Sequence, residues 1–369
     1  MKIPYVNLKL QYKSERKELL KIFDKIMSSG SYVTSSDQVL KFENNIKNIC
    51  KTKYCIGLNS GTDALTLAMH CLGIKKNDEV ITTSNSFIAS TATIAHLGAI
   101  PIFVDVKLDQ NIDEDLIEKK ITKKTKAIMP VHLTGRMCNM KKIMKIAKKH
   151  NLFVIEDCAQ SIMSSFGDKP SGSFGDVGCF SAHPLKNLNA AGDSGYLVTN
   201  NNKIYKKICD LRNHGMTNRD VIHNFGYVSR MDNLQAGILN FRLKNLKKII
   251  SSRRRNVNLY QKYLEPKNYY FPKEKTDEFN TYHTFVIQVE NRDNLRKFLL
   301  KNNINTSIHY PLPIHKQPAF KKYLDKTDTS KLKNTERQSK KILTLPINQF
   351  LKEEEIKFIS KKINYFYEK

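Results

Sequence analysis

Over residues 14–27, Leu19, Leu20, Ile22, Phe23, Ile26 and Met27 recur at near-helical spacing among polar positions, which predicts an amphipathic helix. A second helix is expected over 36–49, after a turn at Gly30. The pattern then shortens. Apolar runs at 54–58, 79–82, 101–104, 127–131 and 152–156 read as buried strands, and the segments 64–72, 88–97, 116–120 and 140–150 read as helices between them. Such alternation implies right-handed crossovers and a largely parallel sheet, so the expected fold class is α/β. Further apolar runs end at Ser181 and begin at Tyr196, the second giving a strand over 196–199 before a helix over 202–212.

From Met231, apolar Leu234, Ile238, Leu239, Leu243 and Ile249 carry a helical pattern to about residue 265. Unbroken, it would reach about 45 Å at ~1.5 Å per residue and join a large domain, 1–245, to a smaller one, 246–369. The smaller part reads as α+β, with a strand over 283–289, helices over 294–301 and 352–367, an extended segment over 306–310 and a polar surface loop over 325–334.

A chain of 369 residues is long for one core, which supports the division. Seven cysteines form no C-x-x-C pair and leave one over, arguing for reduced thiols rather than disulfides or zinc; no metal site is expected. The first residues lack the apolar core of a signal peptide, and no apolar run nears the roughly 18 residues a bilayer span requires; a cytoplasmic protein without membrane contact is expected. A net charge of +27 raises nucleic-acid binding. No recognition helix, zinc finger or aromatic RNA-binding signature accompanies it, and the lysines are spread over most predicted helices. A solvated surface is the expectation, with Arg253-Arg254-Arg255 as one exposed helical turn.

The chemistry concentrates on a lysine and a carboxylate. Lys186 lies in a polar, small-residue segment between two strands, where a loop presents it to a ligand. Strand 152–156 delivers Asp157 at its C-terminal end, where open α/β sheets collect ligand groups. Pyridoxal phosphate (PLP) chemistry needs this pair: the amine bonds the cofactor aldehyde, and the carboxylate keeps the pyridine nitrogen protonated. Asn59-Ser60-Gly61-Thr62-Asp63, between a strand and a helix, is either an anion site or a plain helix cap. No G-x-G-x-x-G or G-x-x-x-x-G-K-[ST] turn is present, which argues against nicotinamide and ATP enzymes.

Asp157-Cys-Ala-Gln160, Ser181-Ala-His-Pro-Leu-Lys186-Asn-Leu and Gly192-Asp-Ser-Gly195 together resemble the PLP-dependent sugar aminotransferases of the DegT/StrS type, and the likeness runs from Pro4 to Pro346. It implies PLP-transferase fold type I, with a mainly parallel seven-stranded sheet between helices and a smaller C-terminal domain. It also implies an amino group moved from glutamate to a nucleotide-linked keto sugar through pyridoxamine phosphate, for amino-sugar and surface-glycan synthesis. In that likeness Lys186 and Asp157 are catalytic; Gly61, Thr62 and Ser181 hold the cofactor phosphate, Gln160 its ring hydroxyl, and Phe87 either stacks on the ring or packs the core. His183 contacts cofactor or sugar, or shapes its loop; Arg230, His309, Tyr310 and His315 are candidate sugar contacts, with turn packing as the alternative for the two histidines and the tyrosine. His96 and His132 read as structural or supporting groups.

The loop Lys186-Asn-Leu-Asn-Ala-Ala-Gly-Asp193 resembles members that aminate C3 of the sugar rather than C4. Some family members replace the lysine with histidine and deoxygenate instead, which makes a sugar dehydratase one alternative, and a non-catalytic regulator with a damaged site is another; the retained Lys186 favours transamination, and Asp157, Gln160, Ser181 and Lys186 all match an intact site. A homodimer with shared sites is implied, 226–230 being the contributing segment. Val228 departs from the family there: an asparagine normally donates to the partner site's cofactor phosphate, and valine cannot, so weaker cofactor retention is expected.

Overall fold

The computed structural model describes residues 2–32, 37–218 and 220–368. Its centre is a seven-stranded sheet in the order Tyr54–Leu58, Gly195–Thr199, Val177–Ser181, Phe153–Asp157, Thr125–Ile128, Glu79–Thr83, Ile100–Val104. Gly195–Thr199 runs antiparallel to both neighbours, and the pairs from Val177–Ser181 outward to Ile100–Val104 are parallel. The strands Glu79–Thr83, Ile100–Val104 and Gly195–Thr199 are buried at every position, as a sheet covered on both faces requires. Helix Gly61–Cys71 packs on one face across Val177–Ser181 and Gly195–Thr199; Met140–His150 packs on Thr125–Ile128 and Phe153–Asp157. The C-terminal ends of the parallel strands therefore open together at one edge of the sheet, and Asp157 and Ser181 stand there.

Three expectations need correction. The helix expected over about 231–265 is two, Asn233–Leu243 and Leu246–Tyr263. Lys244 and Asn245 donate to Phe241 and Arg242, three residues back, and Asn245 sits at φ −103°, ψ −1°, so the ladder closes tightly and restarts. The helix expected over 116–120 is a single 3₁₀ turn, Glu118–Lys120, since five residues are too few to nucleate an α-helix. The polar stretch 325–334 is tied down at its end: Asp105 accepts the Asn334 and Thr335 amides at 2.8 Å each, and Leu332 is buried with Phe103, Ile314 and Phe320. The helix expected over 36–49 is Asp37–Cys50; Ser36 lies outside the described residues.

A second core gathers Val257, Tyr260, Leu264, Phe285, Ile287, Leu343, Ile359 and Ile363, and Ile3 joins it from the opposite end of the sequence. Leu246 and Ile250 of the same helix pack instead with Phe42, Tyr196 and Leu239 beside the sheet, so Leu246–Tyr263 spans both cores. All seven cysteines are unpaired. No helix among the described residues is long and apolar enough to cross a membrane.

Candidate active site

Asp157 ends its strand buried, at 5% exposure. Its Oδ2 accepts the Ser90 hydroxyl at 2.8 Å and its Oδ1 the Ala159 amide at 3.1 Å, two bonds that fix the plane of the carboxylate. The lysine loop is fixed from outside. Asn187 donates to the Thr281 carbonyl and Asn189 to that of Pro184, while Arg242 grips the carbonyls of Asn189 and Ala190 and is itself paired to Glu15 at 2.6 Å. None of these anchors uses the Lys186 amine, so the loop is rigid whatever that amine does.

Lys186 is half-buried, and it lines a cavity of about 360 Å³ with Asp157. Burial pulls its amine down to about 8, against a partial pull upward from Asp157. Above that value the amine is mostly neutral and able to attack, while an ordinary lysine stays protonated to about 10.5. Modification of Lys186 by an aldehyde reagent with borohydride, mapped by mass, should therefore rise with a midpoint near pH 8. Asp157→Asn should move that midpoint lower, because the opposite charge is gone; a midpoint near 10.5 in the parent protein would contradict the reading.

A different wall of the cavity is built for an anion. Ser60 caps helix Gly61–Cys71, its hydroxyl accepting the Asp63 amide at 3.0 Å and its carbonyl the Ala64 amide at 3.1 Å. Gly61 and Thr62, whose amides open the helix, line the cavity with Ser181 and Ser194. A Cβ at Gly61 would lie 2.8 Å from that of Ser181, so only glycine lets this turn close on the serine. Gly195 has the same role one layer down, where a Cβ would meet the Ser60 backbone at 2.2 Å. The Ser194 hydroxyl is buried and unpartnered. Helix amides, two serines and a threonine against one wall, with a neutralisable lysine and a fixed carboxylate in the same cavity, fit pyridoxal phosphate in both charge and donor type.

The other expected residues divide. Phe87, Gln160, His183, His309 and Tyr310 line the cavity. Phe87 caps its helix with the ring 56% exposed and tilted at 44° to Tyr310, so it is not packed into the core. Gln160 accepts the Thr134 amide at 2.7 Å and reaches towards the Tyr310 hydroxyl at 3.5 Å. His309 contacts the Thr344 hydroxyl at 2.9 Å, and burial with the nearby Lys186 lowers it to about 4, so it is neutral at physiological pH. Burial first, then Asp157 and Tyr5, raise the Tyr310 hydroxyl, which stays protonated.

His315 is corrected: it is buried away from the cavity, between the Ser84 hydroxyl at 2.7 Å and Glu336 at 3.0 Å, and joins the sheet to helix Lys333–Lys341. Arg230 does not line the cavity of its own chain either, and bonds Asn213 at 2.8 Å. Its neighbour Val228 is 57% exposed. His132 is a buried structural group bonded to Glu156 at 3.0 Å.

Arg253-Arg254-Arg255 is not one exposed turn. Arg253 is buried in the cavity wall, Arg254 pairs with Glu274 at 2.7 Å, and Arg255 alone is exposed. The sequence reading also passed over Tyr5, Ser90, Ser194, His283 and Asn348, all lining the cavity. Ser194 lies within Gly192-Asp-Ser-Gly195, and Ser90 lies three residues past Phe87; the others carry no local signal.

The chain is 37% identical over 371 residues to a "Pleiotropic regulatory protein" of Geobacillus stearothermophilus, covering 100% of this chain and 99% of the relative. It is 36% identical to the dTDP-3-amino-3,6-dideoxy-alpha-D-galactopyranose transaminase of Aneurinibacillus thermoaerophilus, covering 99% of each. The solved structure of S. venezuelae DesV in complex with a ketimine intermediate superposes with a TM-score of 0.95 at 32% identity, over 100% of this chain and 99% of that one. The model of the DegT/DnrJ/EryC1/StrS aminotransferase family matches residues 13–364, and the chain belongs to that family.

Proposed function

We propose that this protein is a PLP-dependent aminotransferase that moves an amino group from glutamate to a keto sugar carried on a nucleotide, with a 3-keto sugar preferred. The observation that carries the reading is the convergence of Lys186 and Asp157 on one cavity whose wall at Ser60, Gly61 and Thr62 is a helix start. Bound there, pyridoxal phosphate supplies an electron-accepting ring that stabilises negative charge on the carbon next to the transferred nitrogen. Ser181, Ser194 and the Gly61 and Thr62 amides, which line that wall, would hold its phosphate. Asp157, oriented by Ser90 and the Ala159 amide, would hold a proton at the ring nitrogen.

Lys186 moves the remaining proton. An amine held near 8 both accepts and returns a proton close to neutral pH, which an ordinary lysine does poorly. With its oxygen accepting the Thr134 amide, Gln160 would offer an amide N–H to the ring hydroxyl. Neutral His309 and protonated Tyr310 offer hydrogen bonds to sugar hydroxyls without adding charge.

The 3-keto preference is supported by the lysine loop, Lys186 to Asp193, and by a relative whose name places the amino group at C3. A homodimer is supported by apolar residues left in water around 226–230: Ile222 is 56% exposed, Phe225 97% and Val228 57%. The test is incubation with PLP, glutamate and a panel of nucleotide-linked 3-keto and 4-keto sugars, reading amino-sugar formation by mass. Turnover of the 3-keto members is expected; exclusive turnover of a 4-keto member would overturn the preference.

A further inference from the structure

Besides the sheet edge, the cavity has a wall tied to the second core: His309 and Tyr310 line it, and His309 contacts Thr344 at 2.9 Å. Tyr5 joins that wall from the other end of the sequence. Two residues before it, Ile3 is sealed in the second core and bridges Ile304, its amide donating to Asn303 at 2.9 Å and its carbonyl accepting from Asn305 at 3.0 Å. Two residues after it, Asn7 caps helix Leu8–Ser29 by accepting the Leu10 amide at 3.0 Å. Tyr5 is therefore fixed from both sides, and Asn348 donates to its carbonyl at 3.4 Å.

The Tyr5 ring lies 5.9 Å from that of His309, tilted by 33°. Its hydroxyl bonds no described residue, yet it stays accessible, whereas the Nδ1 of His283 in the same cavity is sealed. Burial raises the phenol well above its ordinary range, against a smaller pull from Arg253, so it keeps its proton at every physiological pH. It acts on Tyr310, whose own hydroxyl approaches Gln160 at 3.5 Å, so the two phenols share one end of the cavity.

A phenol offers an apolar face and a neutral donor together. An anion is served better by the amides of the helix start. A sugar ring supplies the matching pair, C–H faces and neutral hydroxyl oxygens. We propose that Tyr5 selects the acceptor: its hydroxyl donates to an oxygen on the sugar ring, so the protein takes keto sugars that keep a hydroxyl at that carbon and discriminates against the deoxy analogue. The proposal rests on the aminotransferase reading and deepens it, naming a determinant of the acceptor class. A bound deoxy sugar would exclude water from the phenol and leave it unpaired, which is the costly arrangement.

The test takes nucleotide-linked 3-keto sugars in pairs that differ by one hydroxyl replaced with hydrogen, and compares the parent holoenzyme with Tyr5→Phe. For one pair the parent's kcat/KM should favour the hydroxylated member by about ten- to hundredfold, and Tyr5→Phe should bring that ratio close to one. Affinity for the matching amino-sugar products, read by calorimetry, should show the same collapse. The other pairs should keep their ratios, and the glutamate half-reaction should move less than about threefold. The melting temperature should hold, because phenylalanine keeps the ring and no hydrogen bond within the chain is lost. Unchanged ratios in every pair would overturn the proposal. So would an equal loss on both members of each pair, which would assign Tyr5 to the nucleotide, or a loss confined to the glutamate half-reaction. If the parent takes 4-keto sugars instead, the pairs are drawn from those, so regiochemistry and the role of Tyr5 fail separately. A parent that aminates no nucleotide-linked keto sugar would remove the aminotransferase reading and this proposal with it.

Discussion

Lys186→Ala should abolish turnover, lowering it by about ten-thousandfold or more, because one change removes both the covalent tether and the proton carrier. The fold should survive. The loop is held by Asn187, Asn189 and Arg242, and no hydrogen bond from the Lys186 side chain contributes to it. Removing a half-buried amine whose ammonium is penalised by burial should also leave the melting temperature close to that of the parent. Borohydride reduction followed by intact mass should find cofactor attached to the parent and none on the variant. A variant that keeps a tenth of parental activity would contradict the assignment.

Asp157→Asn should be the next most damaging change. An opposite charge in contact raises the proton affinity of a ring nitrogen by about 1–3 pKa units, and each unit is a factor of ten, so the donor half-reaction should slow by about a hundredfold. Asparagine has the same shape, and its oxygen can still accept from either Ser90 or Ala159. Cofactor content should therefore fall much less than the rate. Rapid-mixing absorbance separates the two, and an unchanged half-reaction rate would remove Asp157 from its role.

Much of this site was legible because its parts are contiguous. Asp157 and Gln160 share one strand end, Ser181 to Lys186 one loop, and Ser60 to Thr62 one helix cap, and short-range patterns of that kind survive in sequence. The helix Met140–His150 was readable to the residue, having apolar Met140, Ile143 and Ile146 on one face and Asn139 as its cap. The break at Lys244 and Asn245 was hidden, since no glycine or proline marks it and apolar positions continue through Leu246.

Arg253 was missed for a geometric reason. Three adjacent arginines look alike in sequence, yet only the one that faces Tyr282 and His283 is buried, and that depends on how the second core packs against the helix. Tyr5 and Asn348 reach the cavity from the two ends of the chain, which no local pattern records. His309 and His315 are six residues apart, and the sequence offers both as candidate sugar contacts. The 3₁₀ turn Ile314–Lys316 carries His315 under the sheet edge to Ser84, while His309 stays in the cavity.

The central claim is that this cavity transfers nitrogen. Purified protein supplied with PLP, a nucleotide-linked 3-keto sugar and glutamate labelled with nitrogen-15 should yield a sugar nucleotide carrying the heavy nitrogen, equimolar with the 2-oxo acid, and Lys186→Ala should yield neither. A protein that binds PLP at Lys186 but passes no label from any amino acid to any keto sugar in the panel would contradict the account.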